Sequence, residues 1–370
     1  MSGLTIPFTG LKKQYNNLRT EILDATDEVL RSGQLMNGNY TAEFENWLAK
    51  KNRVKYAITC HSGSQALEII AQYYNDIRVN MAMVNPPRAL VPSMTFVATA
   101  NAFRRAGWEI HFVDTDKYGI LNPRSVPDDL GYQAVVAVGL YGASTAHLGE
   151  IKYWSLANKI RSNMVWIEDA AQHWLSADCQ RYGDSAAISF DPMKNLANFG
   201  NGGAIVTNNL DLVLYAREWR EHGKPGNQIA GSNSRMSEVD CAQMMVKTRH
   251  LDKWQERRQA ISVYWVERLK KSGIRSLIDD NTVNGHAFHK FVIDVDNRDL
   301  LQRNLEIKKI ETRVHYKEPL HEIGVFREYS GPDLLAVSSS LARRVLSLPL
   351  YPELTDLEVE YVIDSVLDSV

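Results

Sequence analysis

Lys194 stands at a turn marked by Pro192, between two short apolar runs, Ala186 to Phe190 and Ala204 to Thr207, with Gly200, Gly202 and Gly203 leading into the second. A lysine is ordinarily a solvated surface charge, because burying its ammonium without a partner costs several kcal/mol. One flanked by predominantly apolar segments is placed to be held at a site, where it is a candidate Schiff-base former. A second stretch, MVWIEDAAQ at residues 164–172, reads as a buried strand ending in two carboxylates and then small residues. Asp169 then sits at the carboxyl end of a strand, where α/β sheets bind ligands. A lysine to hold an aldehyde and an acid to keep a ring nitrogen charged are what pyridoxal phosphate requires, the pair making its ring an electron sink.

These groups need elements to position them, and the hydrophobic periodicity supplies a set. Helix-like spacing over Asn16 to Arg31 stops at Gly33, a second helix begins near Thr41, and Val54 to Thr59 reads as a strand. In Cys60 to Ile70 a small-residue turn, Ser62, Gly63 and Ser64, joins that strand to an apolar-periodic helix. A helix amino terminus exposes unpaired N–H groups, so this turn is either a phosphate seat or simply a serine-capped helix start. Residues 76–90 read as irregular, with Asn85, Pro86 and Pro87 marking a loop. Leu90 to Pro92 resumes a strand and SMTFVATANAFRRAG turns into a helix, placing Phe96 at the junction, as a stacking surface for a planar ring or as a core aromatic.

Strands at Glu109 to Val113, Ala134 to Val138 and Met164 to Glu168, a helix from about Glu150 and a helix over Leu210 to His222 continue the alternation, which indicates an α/β fold with a largely parallel sheet. Long helical runs from Met236 to about Gly273 lead into a smaller α/β region: a strand at Ala287 to Val295, a helix near Leu300, a strand at Ile310 to Val314 and a terminal helix from Thr355. The length, 370 residues, fits two domains, placed at 1–249 and 250–370.

Composition narrows the function. Lys and Arg number 42 against 44 Asp and Glu, for a net charge of −2, which lacks the basic footprint of a nucleic-acid binder. The amino terminus has no apolar core behind a basic start, and the longest apolar stretches fall far short of the roughly 20 residues a spanning helix needs, so a soluble, cytoplasmic protein is expected, with no membrane partner. Cys60, Cys179 and Cys241 are scattered without metal-ligand spacing and are expected as free thiols. His286 and His289 form an isolated H-x-x-H, and no metal site is expected. GNGGA at residues 200–204 superficially matches a dinucleotide fingerprint, but such a motif should follow a strand and open a helix. Here it precedes a β-like run and reads as a turn, which argues against a nicotinamide oxidoreductase.

The ordered pieces IPFTGLKKQY, SGSQAL, VPSMTFVATANA, VGLYG, IEDAAQ, ISFDPMKNL, GNGGAIVTNN, WREHG, GSNSRMSEVDCAQM and SLPLYPELT together resemble the DegT/DnrJ/StrS family of nucleotide-sugar aminotransferases, of fold type I. That resemblance implies a large domain with a mostly parallel mixed sheet between helices, plus a smaller C-terminal domain. It implies that Lys194 forms the internal aldimine of pyridoxal phosphate, that Asp169 pairs with the pyridine nitrogen and that Gln172 bonds the phenolic oxygen. It implies that Phe96 is the stacking aromatic, not a core residue, and that Ser64, Gln65 and Ser189 reach the phosphate. Asn233 comes from a neighbouring subunit, so two active sites are built across a homodimer. Arg235, His315 and Tyr316 are candidate substrate contacts. Met193 and Ser64 depart from the family's usual small hydroxyl residue and threonine.

The implied reaction moves an amino group, by default from L-glutamate, to a nucleotide-linked keto sugar by a ping-pong aldimine and ketimine route. Two alternatives share the scaffold: a pyridoxal phosphate sugar dehydratase, whose deoxygenating members replace the lysine with histidine, and a non-catalytic regulatory protein that binds the cofactor.

Overall fold

Mostly apolar five-residue runs recur along the first two hundred positions, the first three of them separated by amphipathic helices, and each is a strand. The computed structural model describes residues 4–80, 86–126, 131–145, 164–278, 283–329 and 335–370. Its strands β1 (Tyr56–Cys60), β2 (Arg88–Pro92), β3 (Glu109–Val113), β4 (Ala134–Val138), β5 (Val165–Asp169), β6 (Ser185–Ser189) and β7 (Gly203–Thr207) form one sheet in the order β1-β7-β6-β5-β4-β2-β3. The pairs from β6 through β5, β4 and β2 to β3 are parallel, and β7 alone runs antiparallel to its two neighbours. The ends of β5 and β6 and the start of β7 therefore meet along one edge.

Successive strand residues point to opposite faces, and both faces are covered. Val136, Ile167 and Ala187 pack on one side with Ile69 of α3 (Gly63–Asn80), Phe103 of α4 (Val97–Arg105) and Leu212 of α5 (Leu210–Trp219). Ala186 and Ile188 pack on the other with Phe44 of α2 (Asn39–Lys51), Phe190 and Trp174. Strands buried on both faces read as continuous apolar runs, which is why these were visible in the sequence. The first helix, α1 (Leu11–Ser32), rests Leu18 and Ile22 on Val246 of α6 (Glu238–Thr248), whose start is fixed by a Ser237–Asp240 capping box.

A second core belongs to the C-terminal third. A three-stranded antiparallel sheet, β8 (Arg275–Ser276), β9 (Phe291–Asp294) and β10 (Val345–Leu348), is covered by α7 (Leu251–Lys270), α8 (Arg298–Ile307) and α10 (Asp356–Leu367), α9 being Ala336–Arg344. Trp265 and Phe291 meet edge to face in that core, and the indole N–H donates to the Val359 carbonyl at 3.1 Å. Burying such side chains contributes about 1.5–3 kcal/mol each.

Several expectations need correction. Ile310 to Val314 is not a strand: Ile310 bridges only to Ile6 and Arg313 only to Ser347, so the alternating pattern serves two separate neighbours. The segment expected to be irregular from residue 76 is helical to Asn80, because Tyr73, Tyr74 and Ile77 keep the core-facing period, and β2 already begins at Arg88. The helix expected to reach His222 ends at Trp219, where the Trp219 carbonyl accepts from Ser232 and His222 turns to φ 63°. The helix expected from Glu150 lies outside the described residues. Unforeseen was α9, whose first amides donate to the Asp114 carboxylate from Val337 at 3.0 Å and Ser338 at 2.8 Å. Its cap stands more than two hundred residues away, beyond any local signal.

One glycine fixes the edge where the strands meet. Gly203 pairs with Cys60, and a Cβ there would lie 2.3 Å from the Ser62 carbonyl carbon and 2.5 Å from the Gly63 nitrogen. Both are backbone atoms and neither can swing away. Gly203→Ala is expected to cost about 1–3 kcal/mol, read as a lower urea midpoint with an unchanged slope.

Candidate active site

The edge shared by the strand ends opens into a cavity of about 240 Å³. Eight of the residues singled out from the sequence line it: Ser64, Phe96, Asp169, Gln172, Ser189 and Lys194, with His315 and Tyr316 arriving from the C-terminal part of the chain. The other three do not. Gln65 accepts from the Ser234 hydroxyl beside the cavity, while Asn233 is exposed and Arg235 pairs with Glu221 at 2.9 Å on the surface of the single chain.

The turn carrying Lys194 is held from several sides. The Asp191 carboxylate accepts from the Met193 amide at 2.9 Å, and the Asp191 carbonyl accepts from the Lys194 amide at 2.9 Å. Asn195 reaches across to the Ala287 carbonyl at 2.6 Å, and Lys247, buried over the Phe199 ring, donates to the Ala197 carbonyl at 2.6 Å. A lysine with so little freedom of backbone presents its amine at one place. Burial pushes the Lys194 ammonium below its ordinary value, with the charges of Asp169 and Asp191 opposing, and a lowered value is what a nucleophilic amine needs.

Asp169, only 5% exposed, ends β5 with its carboxylate accepting from the Thr99 hydroxyl at 2.6 Å and from the Ala171 amide at 3.2 Å. The two donors engage one carboxylate oxygen each and fix its orientation. Gln172 is fixed by the Tyr141 amide, which donates to its carbonyl oxygen at 2.8 Å, and its amide nitrogen donates to the Tyr316 hydroxyl at 3.2 Å. Burial pushes the Tyr316 phenol up, so it stays protonated. Phe96 caps the entry to α4, 49% exposed and tilted against Tyr316 with ring centroids 5.7 Å apart. Its exposure rules out the plain core reading.

At the opposite end the first turn of α3 begins at Gly63. Ser62 accepts from the Gln65 amide through its hydroxyl at 3.2 Å and from the Ala66 amide through its carbonyl at 3.0 Å. The Gly63 and Ser64 amides belong to the turn whose donors have no intrahelical partner, and both residues line the cavity beside Ser189. A helix start with a hydroxyl alongside suits a phosphate. These donors, a partly buried lysine and a fixed carboxylate fit pyridoxal phosphate.

Three contributors were not foreseen. Thr99 lies in the first turn of α4, three residues after Phe96, and is buried. Asp191 carries no local mark. Lys290, buried in the cavity, was one of two charges, with Asp294, inside the mostly apolar run Ala287 to Val295. Elsewhere, Glu168, His173 and Cys179 bring one ligand atom each within 4.8 Å of one another. The imidazole already accepts from the Gly139 amide at Nδ1 and meets Glu168 through Nε2 at 3.0 Å, while Glu168 also takes the Gln180 and Gly183 amides. That network braces the strand end carrying Asp169 and Gln172.

The sheet with its lysine turn defines an α/β transferase of fold type I, and comparison with known proteins agrees: the chain superposes on S. venezuelae DesV, solved with a ketimine intermediate, with a TM-score of 0.87 at 29% identity, covering 99% of this chain and 98% of that one. A model of the DegT/DnrJ/EryC1/StrS aminotransferase family matches residues 16–367, and the chain belongs to that family. It is an aminotransferase whose cofactor is pyridoxal phosphate. Among relatives, a dTDP-3-amino-3,6-dideoxy-alpha-D-galactopyranose transaminase of Aneurinibacillus thermoaerophilus is 32% identical over 98% of both chains. A protein of Geobacillus stearothermophilus named a pleiotropic regulatory protein is also 32% identical, over 99% of this chain and 98% of its own.

Proposed function

We propose that this chain transfers an amino group from L-glutamate to a nucleotide-linked keto sugar, two half-reactions sharing one cleft. The observation that carries the proposal is the convergence of Lys194, Asp169 and the Ser62–Ser64 helix start on one cavity. When bound there, pyridoxal phosphate supplies an aldehyde for the lysine and a ring that stabilises the charge left when a proton leaves the substrate carbon.

The chain's own residues do the rest. The Gly63 and Ser64 amides and the Ser189 hydroxyl hold the phosphate, joined by Gln65 through its place in the same turn. Phe96 would cover one face of the ring, Gln172 would donate to the phenolic oxygen, and Asp169 would hold a proton on the ring nitrogen. Lys194, its amine lowered by burial, would act as the base beside the substrate carbon and move its proton. His315 and Tyr316 would border the sugar, and Arg235, paired with Glu221 outside the cavity of the single chain, would reach it only from a second copy.

Asn233, exposed in the single chain, would complete the phosphate site of a second copy in a homodimer, and the compartment proposed is the cytoplasm. The chain divides near residue 250 into a large domain, 1–249, and a small one, 250–370, although Ile6 packs in the C-terminal core.

A relative named as regulatory motivates a second reading, a cofactor-binding regulator without catalysis. The lowered Lys194 amine beside Asp169 favours catalysis, and a lysine at this position opposes the dehydratase alternative. The test loads the protein with aminated cofactor and presents a panel of nucleotide-linked keto sugars while the visible spectrum is recorded. One of them should return the spectrum of the lysine-bound cofactor; no response to any of them, in protein that binds the cofactor, supports the regulator.

A further inference from the structure

Lys290 is a buried lysine whose amine makes no ion pair among the described residues, although the Asp191 carboxylate faces it. Its backbone N–H donates to the Tyr141 carbonyl at 3.0 Å just before β9, and its side chain, 5% exposed, lines both the cavity containing Lys194 and a narrower one behind it. Its Nζ lies 5.3 Å from the centre of the Phe8 ring. Among the described residues it has no ion pair and no side-chain hydrogen bond. The neighbouring charges are committed elsewhere. Arg313 pairs with Glu311 at 2.9 Å, and Arg258 donates to the Leu350 carbonyl at 2.9 Å. Asp169 and Asp191 take the Thr99 hydroxyl and the Met193 amide. An ammonium enclosed in this way is costly unless something brings a negative charge to it.

We propose that Lys290 binds the carboxylate of the amino-acid donor beside Lys194. This rests on the aminotransferase reading and deepens it. An α-amino acid carries its carboxylate on the carbon whose nitrogen is exchanged, so a cation lining the same cavity as Lys194 is placed for it. The diphosphate of a nucleotide sugar is separated from the reacting ring carbon by the sugar itself, so it is not the anion expected beside Lys194. A sugar bearing its own carboxylate is the other source of the same chemistry.

Burial first, and then the charge of Lys194, push Lys290 well below its ordinary value. The groups facing it are Lys194 and Asp191 from the lysine turn, Arg258 from α7, His289 beside it, and Arg313 and His315 from the segment after Ile310. Both histidines are pushed down by burial and stay neutral. Carboxylate binding then draws a proton onto Lys290, and donor affinity falls as pH rises.

The test uses cofactor-loaded wild type, Lys290→Met, Lys290→Gln and Lys290→Arg. A wild type that forms no visible cofactor band would overturn the aminotransferase reading itself, a result separate from this proposal. With the band present, glutarate, a donor-shaped dicarboxylate without an amino group, is titrated calorimetrically in buffers of different ionisation enthalpy. Each half-reaction is also followed at single turnover, with L-glutamate and with neutral and carboxylate-bearing nucleotide sugars. Both neutral variants are expected to weaken glutarate by about tenfold or more, to slow the glutamate half-reaction more than either sugar half-reaction, and to lose the proton uptake. Lys290→Arg should retain most of the binding. Glutarate affinity unchanged in both neutral variants overturns the proposal, as does a loss confined to the carboxylate-bearing sugar.

Discussion

Lys194→Ala is expected to abolish covalent retention of the cofactor and to slow amino transfer by about 10²–10⁴-fold, the range for removing a positioned proton-transfer group. The substitution removes the amine but leaves the Ser62–Ser64 turn, Ser189 and Asp169 in place. Cofactor should therefore still bind, without a bond to the chain. Borohydride treatment followed by intact-mass measurement separates the two states: wild type gains the mass of the reduced cofactor and the variant does not. Lys194→Arg sharpens the argument, because a guanidinium keeps the charge yet cannot lose its proton at working pH. If the role of Lys194 were only electrostatic, arginine would rescue the rate; as nucleophile and base, it should be as slow as alanine. A variant that still retained cofactor covalently would transfer the role to another amine, and Lys290 is the first to examine.

Much of this site was legible because its chemistry sits at element boundaries that the sequence marks strongly. IEDAAQ combines a fully apolar strand with an abrupt acidic end, so Asp169 could be placed at the sheet edge from the alternation of elements alone. Lys194 stood out through contrast with its flanks. Ser62 to Ser64 was ambiguous by itself, since a capped helix and a phosphate seat share residue types. What resolves it is Ser189, at the end of β6, and Lys194, in the turn that follows, lining one cavity with Ser62 to Ser64 although they are remote from it in sequence. The antiparallel β7 was not foreseen, although Gly203 carries the reason: only there must a strand begin against the backbone of the Ser62–Gly63 turn. Contacts made entirely at long range left no local mark, as with Asp114 at the start of α9 and Arg313 against Met193 at 3.6 Å. The false strand at Ile310 to Val314 is the converse, a local pattern whose residues answer to two different partners.

Asp169→Asn should leave the fold intact and cost turnover. The carbonyl of the new amide can still accept from Thr99, so the urea midpoint is expected to stay close to wild type, while the fixed negative charge at the ring nitrogen is gone. Charge-assisted hydrogen bonds contribute about 1.5–3 kcal/mol, which corresponds to a turnover loss of about 10- to 150-fold. A second consequence has a definite sign. Burial lowers the Lys194 ammonium and Asp169 partly restores it, so removing that charge lowers it further. The free amine then persists to lower pH, and the acid limb of the rate of cofactor attachment moves to lower pH than in wild type. Neutralising Asp191 by Asp191→Asn moves that limb the same way, since it also supports the ammonium, but leaves the ring nitrogen's partner in place. The two variants should therefore share a pH shift and differ in turnover. Equal turnover losses in both would mean that Asp169 acts through Lys194 alone, and the assignment of its carboxylate to the ring nitrogen would have to be withdrawn.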